Sequence, residues 1–163
     1  MYTIRTDYRD ETVIEKSRFI CTLKKVSSET EAQDFIKVVK KEFWDATHNC
    51  SAYIIDELAQ RSSDDGEPSG TAGLPMLEVL RKNQLSGVAA VVTRYFGGIK
   101  LGAGGLVRAY TGSVSKAVQS CGLARKILMG TFALSADAAD AGKLLNIIYQ
   151  QPVSYTHLTL PTT

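Results

Sequence analysis

The sequence lacks the features that mark membrane and secreted proteins. It contains no run of eighteen uncharged apolar residues, which excludes a helix that spans a membrane. Residues 1–5 have no apolar core of the kind that a secretory signal needs. The three cysteines, Cys21, Cys50 and Cys121, are widely spaced and odd in number, which argues against a disulfide framework. We therefore expect a cytoplasmic protein in a reducing compartment, with no membrane partner.

Acidic residues are missing from residues 79–136, although the whole chain has a net charge of only +2. That stretch carries eight Lys and Arg residues, whereas residues 1–78 carry ten Lys and Arg against fifteen Asp and Glu. A long basic stretch without acids is typical of a surface that attracts anions, including nucleic acid. The alternative is that the acids of the first half fold against this stretch and cancel its field.

The common catalytic and nucleotide-binding motifs are also absent. No Cys-x-x-Cys pair and no Gly-x-Ser-x-Gly sequence occurs. A P-loop that starts at Gly97 would need lysine where the chain has Ala103. A dinucleotide fingerprint that starts at Gly102 would need glycine where the chain has Val107. The sequence favours a binding protein over an enzyme, and we expect no cofactor and no metal.

A glycine-rich loop between a strand and a helix is the most informative feature that is present. The strand, residues 87–96, is apolar on both faces and is therefore expected at the centre of a sheet, and the helix is expected at 106–120. Glycines let backbone N–H groups approach a ligand, and a helix N-terminus adds partial positive charge. The alternative is that they permit a tight crossover against the sheet. The predicted anion- or nucleic-acid-binding residues are Arg94, Gly97, Gly98, Lys100, Gly102, Gly104, Gly105 and Arg108.

A possible second site combines a histidine with an acidic loop. Clustered carboxylates could hold a hard cation, or one could act as a general base, but the calcium-loop spacing is absent. A solvated turn that rigidifies the start of a helix is the structural alternative. His48 and Cys50 share one face of a strand, but two ligands are too few for a zinc site. They could also act as a nucleophile and its base, and the structural alternative is a packed cysteine beside a hydrogen-bonded histidine. The residues of this possible site are His48, Asp64, Asp65, Glu67 and Ser69.

The remaining pattern predicts an α/β fold for residues 1–124. Ser28 and Glu31 have the spacing of a capping box and begin an amphipathic helix at 29–43. The other expected elements are one bent or two short strands in 13–23, a strand at 46–55, a loop at 60–73 and a helix at 71–83. Together they predict a two-layer α/β domain with a mixed sheet of about four strands and helices on one face.

Residues 125–151 begin a second pattern. A strand is expected at 127–134 and a helix at 137–150, and one strand with one helix cannot bury a core alone. Residues 152–163 are uncharged and resemble translated vector sequence, so we expect a non-native tail there.

Five blocks of this sequence resemble the IMPACT/YigZ family, and the resemblance covers about residues 10–122. The blocks are Lys16–Phe19, Ala46–Cys50, Asp64–Gly73, Val91–Gly102 and Gly104–Tyr110. The resemblance implies an N-terminal βαβ-type domain similar to small-subunit ribosomal proteins. It also implies a C-terminal ferredoxin-like domain, of which residues 125–151 would be the opening strand and helix. Eukaryotic members regulate translation by interfering with activation of an amino-acid-starvation kinase, and bacterial members are expected to have a nucleic-acid or ribosome-linked role.

We therefore expect a non-catalytic binding protein in the control of translation and the stress response, with RNA or a ribosome-associated protein as its partner. One alternative stays open as an enzyme: a phosphotransferase or hydrolase acting on a small phosphorylated compound, with Asp65 or Glu67 as base or metal ligand. A second alternative is a pure protein-interaction module that uses the loop at 60–73. The sequence does not indicate an oligomeric state.

Overall fold

The computed structural model describes residues 1–130 and 132–151, which contain seven strands and four helices. One unit covers Met1–Ile127, and a smaller unit begins at Leu128. The first unit contains β1 (Tyr2–Ile4), β2 (Tyr8–Ile14), β3 (Ser17–Lys25), α1 (Glu29–Glu42), β4 (His48–Ile54), β5 (Gln60–Ser63), α2 (Gly73–Lys82), β6 (Val88–Tyr95), α3 (Gly102–Cys121) and β7 (Leu123–Arg125). The second contains α4 (Ala138–Tyr149). The predicted α/β class is confirmed.

Strand β6 lies at the centre of a five-stranded sheet with the order β2-β3-β6-β4-β5. Val88, Val91 and Val92 on this strand are fully buried, as the apolar pattern on both of its faces predicts. Every neighbouring pair in the sheet is antiparallel, so the expectation of a mixed sheet is wrong. The fifth strand is β5, which falls in the predicted loop. It is a short polar edge strand held by backbone pairing to β4, and such a strand leaves no apolar pattern.

Helices cover both faces of the sheet, which corrects the expectation of two layers with helices on one face. Helices α2 and α3 pack on the face that presents Val88, Ala90 and Val92 of β6. Helix α1 packs on the opposite face, against Ala89 and Val91. Side chains alternate between the two faces of a strand, so a strand that is apolar throughout needs cover on both sides. The first unit therefore has three layers.

The helix boundaries show where local sequence signals suffice. Ser28 caps α1 by accepting a hydrogen bond from the Glu31 backbone N–H at 3.1 Å, and the helix ends within one residue of its prediction. Helix α3 begins at Gly102, four residues before the predicted start. The prediction began too late because the first turn contains glycines, which disfavour a helix by about 1 kcal/mol each. Packing of Leu106, Tyr110 and Val114 in the core offsets that preference.

The end of the first unit differs from the prediction. Strand β7 pairs with β1 in a separate two-stranded antiparallel sheet, with Thr3 opposite Ala124. The strand expected at 127–134 is not formed in the described residues of that range, and the helix expected at 137–150 is present as α4. Residues 152–163 lie outside the described part of the chain. No helix in the described residues is long and apolar enough to cross a membrane.

Gly97 lies where the chain leaves β6 and touches the turn between β2 and β3. A Cβ atom added at Gly97 would lie 2.1 Å from the backbone carbon and oxygen of Lys16, which are held in place by the β2–β3 hairpin. The Gly97 N–H donates to the Ser17 hydroxyl at 3.2 Å. Any larger residue at position 97 would overlap the Lys16 backbone, which has little freedom to move, so glycine is required there.

We predict that Gly97→Ala lowers the free energy of unfolding by about 1–3 kcal/mol, because the added methyl group overlaps the Lys16 backbone. Gly112→Ala is the matched control. Gly112 lies inside α3 with nothing within 4 Å of its Cβ position, so this substitution should stabilise the protein by up to about 1 kcal/mol. Urea unfolding followed by circular dichroism measures both changes, and equal effects at the two glycines would contradict the contact.

Candidate functional site

The sheet register brings three of the chain's polar and aromatic side chains together at one end of β6. Arg94 lies directly opposite His48 of β4 and Phe19 of β3. Residues paired in this way point to the same face of the sheet, here the face covered by α2 and α3. Arg94 is thus placed under the loop that connects β5 to α2.

A buried ion pair forms at this position. Nη1 of Arg94 lies 2.7 Å from Oε1 of Glu67, and Arg94 and Glu67 are 5% and 7% exposed. The Tyr110 hydroxyl of α3 donates to the same carboxylate oxygen at 2.7 Å. Burial raises the pKa of Tyr110, with Cys50 and Glu67 adding to the effect, so the phenol keeps its proton and remains a donor. Arg94, predicted as an anion-binding residue beside Lys100 and Arg108, is instead buried in this ion pair and is not free to contact a ligand.

The Arg94 guanidinium also contacts two aromatic rings. Its central carbon lies 5.7 Å from the ring centroid of Phe19 and 5.5 Å from that of Phe96. Phe19 in turn meets Tyr110 edge to face at 5.4 Å. Nε of Arg94 is buried and has no hydrogen-bond partner in the described part of the chain, which costs about 1–3 kcal/mol. The Glu67 carboxylate and the two aromatic rings therefore hold the Arg94 charge in place, although burying that charge costs desolvation free energy.

The acidic loop engages its carboxylates within the protein. Asp64 accepts hydrogen bonds from the backbone N–H groups of Gly70, Ala72 and Gly73 at 2.8–3.1 Å and so satisfies donors at the start of α2. Asp65 accepts from the Asn49 N–H at 2.7 Å and from Nζ of Lys40 at 2.9 Å. Burial alone would raise the pKa of each carboxyl group, but these donors outweigh it and hold both pKa values below the ordinary range.

His48 and Cys50 lie under the same loop. Nδ1 of His48 donates to the Asp65 carbonyl oxygen at 2.8 Å, and Nε2 lies 3.6 Å from Oε2 of Glu67. The Cys50 sulfur lies 3.0 Å from the Asp64 carbonyl oxygen and 3.4 Å from the Tyr110 hydroxyl. Burial raises the pKa of Cys50 to about 12, so it holds almost no thiolate at neutral pH and is a poor nucleophile.

The five residues of the possible second site thus separate. The Glu67 carboxylate contacts both Arg94 and His48, and the Asp65 carbonyl oxygen accepts from His48. The Asp64 carboxylate instead binds backbone N–H groups at the start of α2, and Ser69 is exposed on the loop. Within the described residues, no group of three or more His, Cys, Asp or Glu side chains is arranged to hold a metal ion. The arrangement fixes the loop between β5 and α2 to the end of β6.

Two cations near the glycine loop take no part in the buried network. Lys100 and Arg108 are exposed, and neither pairs with an acid in the residues that the structure describes. Nη1 of Arg108 lies 3.3 Å from the Cβ position of Gly104, so its guanidinium lies over the first turn of α3. Gly102, Gly104 and Gly105 all belong to that turn. Lys100 precedes it by two residues.

The N-terminus of α3 lacks the usual cap. Its capping position, Leu101, makes no side-chain hydrogen bond, and the first turn contains no acid. Gly98 and Gly102 have φ angles of +90° and +71°, and nothing lies within 4 Å of their Cβ positions. The first N–H groups of a helix have no intrahelical acceptor and concentrate positive potential. This open, glycine-lined helix start therefore has the geometry and charge that suit an anion.

Lys16 joins this surface, and sequence reasoning missed it. Glu15 and Lys16 form the β2–β3 turn with φ angles of 47° and 63°, and the Lys16 backbone lies against Gly97. The Lys16 side chain is exposed, with no ion pair in the described part of the chain. In the sequence, residues 16–19 are notable only because they resemble a block of the family, since the contact between Lys16 and Gly97 joins residues 81 positions apart. We call Lys16, Lys100 and Arg108, with the first turn of α3, the glycine-loop surface.

The fold and these motifs define a known class of protein. Residues 15–118 match the family described as the Impact N-terminal domain. The chain therefore belongs to the IMPACT family, and the predicted kinship is confirmed.

Two bacterial relatives show how far the similarity extends. The IMPACT family member YvyE of Bacillus subtilis is 57% identical over 147 residues, which cover 89% of this chain and 68% of YvyE. The IMPACT family member YigZ of Escherichia coli is 39% identical over 152 residues, 84% of this chain and 74% of YigZ. A crystal structure of a protein described as hypothetical is similar to this fold, with a TM-score of 0.73, 40% identity and coverage of 77% of this chain and 63% of the other. The chain thus spans between three fifths and three quarters of the length of these relatives.

We predict that Arg94→Met lowers the free energy of unfolding by about 3–5 kcal/mol, because it leaves the Glu67 carboxylate buried without its cation. Lys24→Ala breaks the exposed pair with Asp7 and should cost less than about 1 kcal/mol. Glu67→Leu combined with Arg94→Met should cost less than the sum of the two single changes. Chemical unfolding of the four proteins tests this, and an Arg94→Met loss no larger than that of Lys24→Ala would rule out a structural role for the pair.

Proposed function

We propose that this protein is a non-catalytic regulator of translation that binds RNA, or a ribosome-associated factor, through the glycine-loop surface. The observation that carries the proposal is the uncapped start of α3, flanked by Lys100 and Arg108 without acidic partners in the described residues. Such a helix start, with cations beside it, favours a phosphate group.

Charge distribution supports a polyanionic partner. The acids of residues 1–78 were the main argument against a basic surface, and the structure assigns many of them to contacts elsewhere. Glu67 pairs with Arg94, Asp65 with Lys40, and Glu42 with Arg9. Lys100 and Arg108 are left to act on a ligand in solution. Phosphate contacts of this kind give affinity without sequence choice.

The state of the polar network supports binding over catalysis. Asp65, one candidate general base, is held by Asn49 and Lys40, and Glu67, the other, is buried in its ion pair. The high pKa of Cys50 leaves no ready nucleophile at this position. Phosphotransfer or hydrolysis at this site would need one of these groups to be freed first.

Family membership supports the link to translation. The IMPACT family, as the resemblance implies, includes eukaryotic regulators of translation. The match covers the N-terminal domain, which contains the whole glycine-loop surface. The three cysteines are free and buried, which is consistent with a reducing compartment such as the cytoplasm.

We predict that Lys100→Ala with Arg108→Ala weakens RNA binding and flattens its salt dependence. Removing two phosphate contacts should reduce the slope of log affinity against log salt by roughly 1.4 for a single strand and roughly 1.8 for a duplex. Fluorescence anisotropy with a labelled RNA at several salt concentrations measures both quantities.

The matched control removes the same charge from the opposite face. Lys37→Ala with Lys41→Ala takes two exposed cations from α1, which packs on the other side of the sheet. This control should leave the slope unchanged. Equal losses in both double variants, or none in either, would reject the glycine-loop surface as the RNA site. Partner capture that survives nuclease treatment and high salt would favour a protein partner instead.

A further inference from the structure

Phe96 is an aromatic side chain fixed at the edge of the glycine-loop surface with 47% of its area exposed. Its backbone N–H donates to the Thr47 hydroxyl at 3.0 Å, and its ring lies 5.5 Å from the Arg94 guanidinium carbon. Arg94 is itself held by Glu67 and by the ring of Phe19. One side of this exposed ring is therefore supported by a buried, ion-paired arginine, and its backbone is tied to Thr47.

A rigid exposed ring is suited to binding by stacking. Little side-chain entropy is lost on binding when the ring is already held in place. Phe19, Arg94 and Phe96 form a sequence of contacts that starts in the core with the fully buried Phe19 and ends at the surface with Phe96. A flat group of a ligand that stacks on the exposed side of Phe96 would continue this series of contacts.

The surroundings of Phe96 indicate what that flat group is attached to. Gly97 and Gly98 follow Phe96 and have no side chains, and no atom lies within 4 Å of the Cβ position of Gly98. Lys100 comes four residues later, so its Cα lies within about 14 Å along a fully extended backbone. Lys16 approaches the same loop through its contact with Gly97. Cations and an exposed aromatic ring are thus within reach of one short ligand.

The acids close to Phe96 in the fold offset these cations only in part. Asp45 accepts a hydrogen bond from the Tyr95 hydroxyl at 2.8 Å, and Glu11 pairs with Arg18 at 2.6 Å. Glu15, beside Lys16 in the turn, is an exposed acid on the hairpin. The local balance still favours an anionic ligand with flat aromatic groups, which describes a nucleic acid with unpaired bases.

We propose that Phe96 is a base-stacking platform and that the glycine-loop surface takes single-stranded RNA in preference to duplex RNA. This inference rests on the proposed function, since it assigns the class of RNA bound at the same site. The bases of a duplex already stack on one another, so their faces are not available to Phe96, whereas unpaired bases can stack on an aromatic side chain. Lys100 and Arg108 contact phosphates of the same strand.

The test compares one labelled 12-nucleotide RNA of mixed sequence with the same strand annealed to its complement, by fluorescence anisotropy on the full chain. Phe96→Ala is expected to lower affinity for the single strand by at least about fivefold and to change duplex affinity by less than about twofold. Phe96→Leu keeps apolar bulk but has no aromatic face, and it should behave like Phe96→Ala. Phe96→Tyr keeps the aromatic face and should retain single-strand affinity.

Leu58→Ala is the matched control, because Leu58 is 99% exposed in the turn after the far end of β4. It should change neither affinity. Circular dichroism melting establishes that each variant is folded, and Phe96→Leu with Phe96→Tyr carries the comparison if the alanine variant is not. A direct readout uses Trp44→Phe with Phe96→Trp, which places the only tryptophan of the chain at position 96. Its emission should change with single-stranded RNA and not with duplex.

The outcomes separate this inference from the proposed function. If the wild-type chain binds neither RNA, both are overturned. If Lys100→Ala with Arg108→Ala weakens binding while Phe96→Leu does not, RNA binding stands and the stacking platform is rejected. Equal losses for single strand and duplex in Phe96→Leu reject it as well, as does a captured protein partner whose binding is unaffected by nuclease but lost in Phe96→Leu.

Discussion

The ion pair between Arg94 and Glu67 is the interaction on which the rest of the site depends. It joins the end of the central strand to the loop before α2, and the Tyr110 hydroxyl extends it to α3. A buried ion pair adds little to stability when it is compared with apolar packing, but breaking it is costly because a buried charge is left alone. The pair therefore enforces one arrangement of three segments that are far apart in the sequence. The position of Phe96 follows from it, because its ring contacts the Arg94 guanidinium.

The basic residues near the glycines divide into two groups with different roles. Arg94 is used inside the protein, where Glu67 neutralises it and aromatic rings surround it. Lys16, Lys100 and Arg108 stay at the surface beside a helix start that has no cap. Residues 79–136, the stretch without acids, thus supply Arg94 to the structure and Lys100 and Arg108 to the surface that we propose binds an anion. The buried charge orders the loop, and the exposed charges remain available to a ligand.

Local patterns in the sequence predict the elements of this fold better than they predict its contacts. Helix α1 was predicted to within one residue because its cap and its apolar stripe are local. Strand β6 was placed at the centre of the sheet because it is apolar on both faces. Strand β5 and the direction of strand pairing were missed, since a polar edge strand and backbone register leave no such pattern. The burial of Arg94 could not be predicted because its partner, Glu67, lies 27 residues away in a loop.

The central claim is that the glycine-loop surface is where this protein meets RNA. Ultraviolet crosslinking of the full chain in cell extract, followed by mass spectrometry of nucleotide-modified peptides, tests it most directly. Nucleotide adducts are expected on peptides that contain residues 96–108, present at low salt and reduced at high salt because phosphate contacts are screened. Adducts confined to other parts of the chain, or none on a protein that is folded and abundant in the extract, would contradict it.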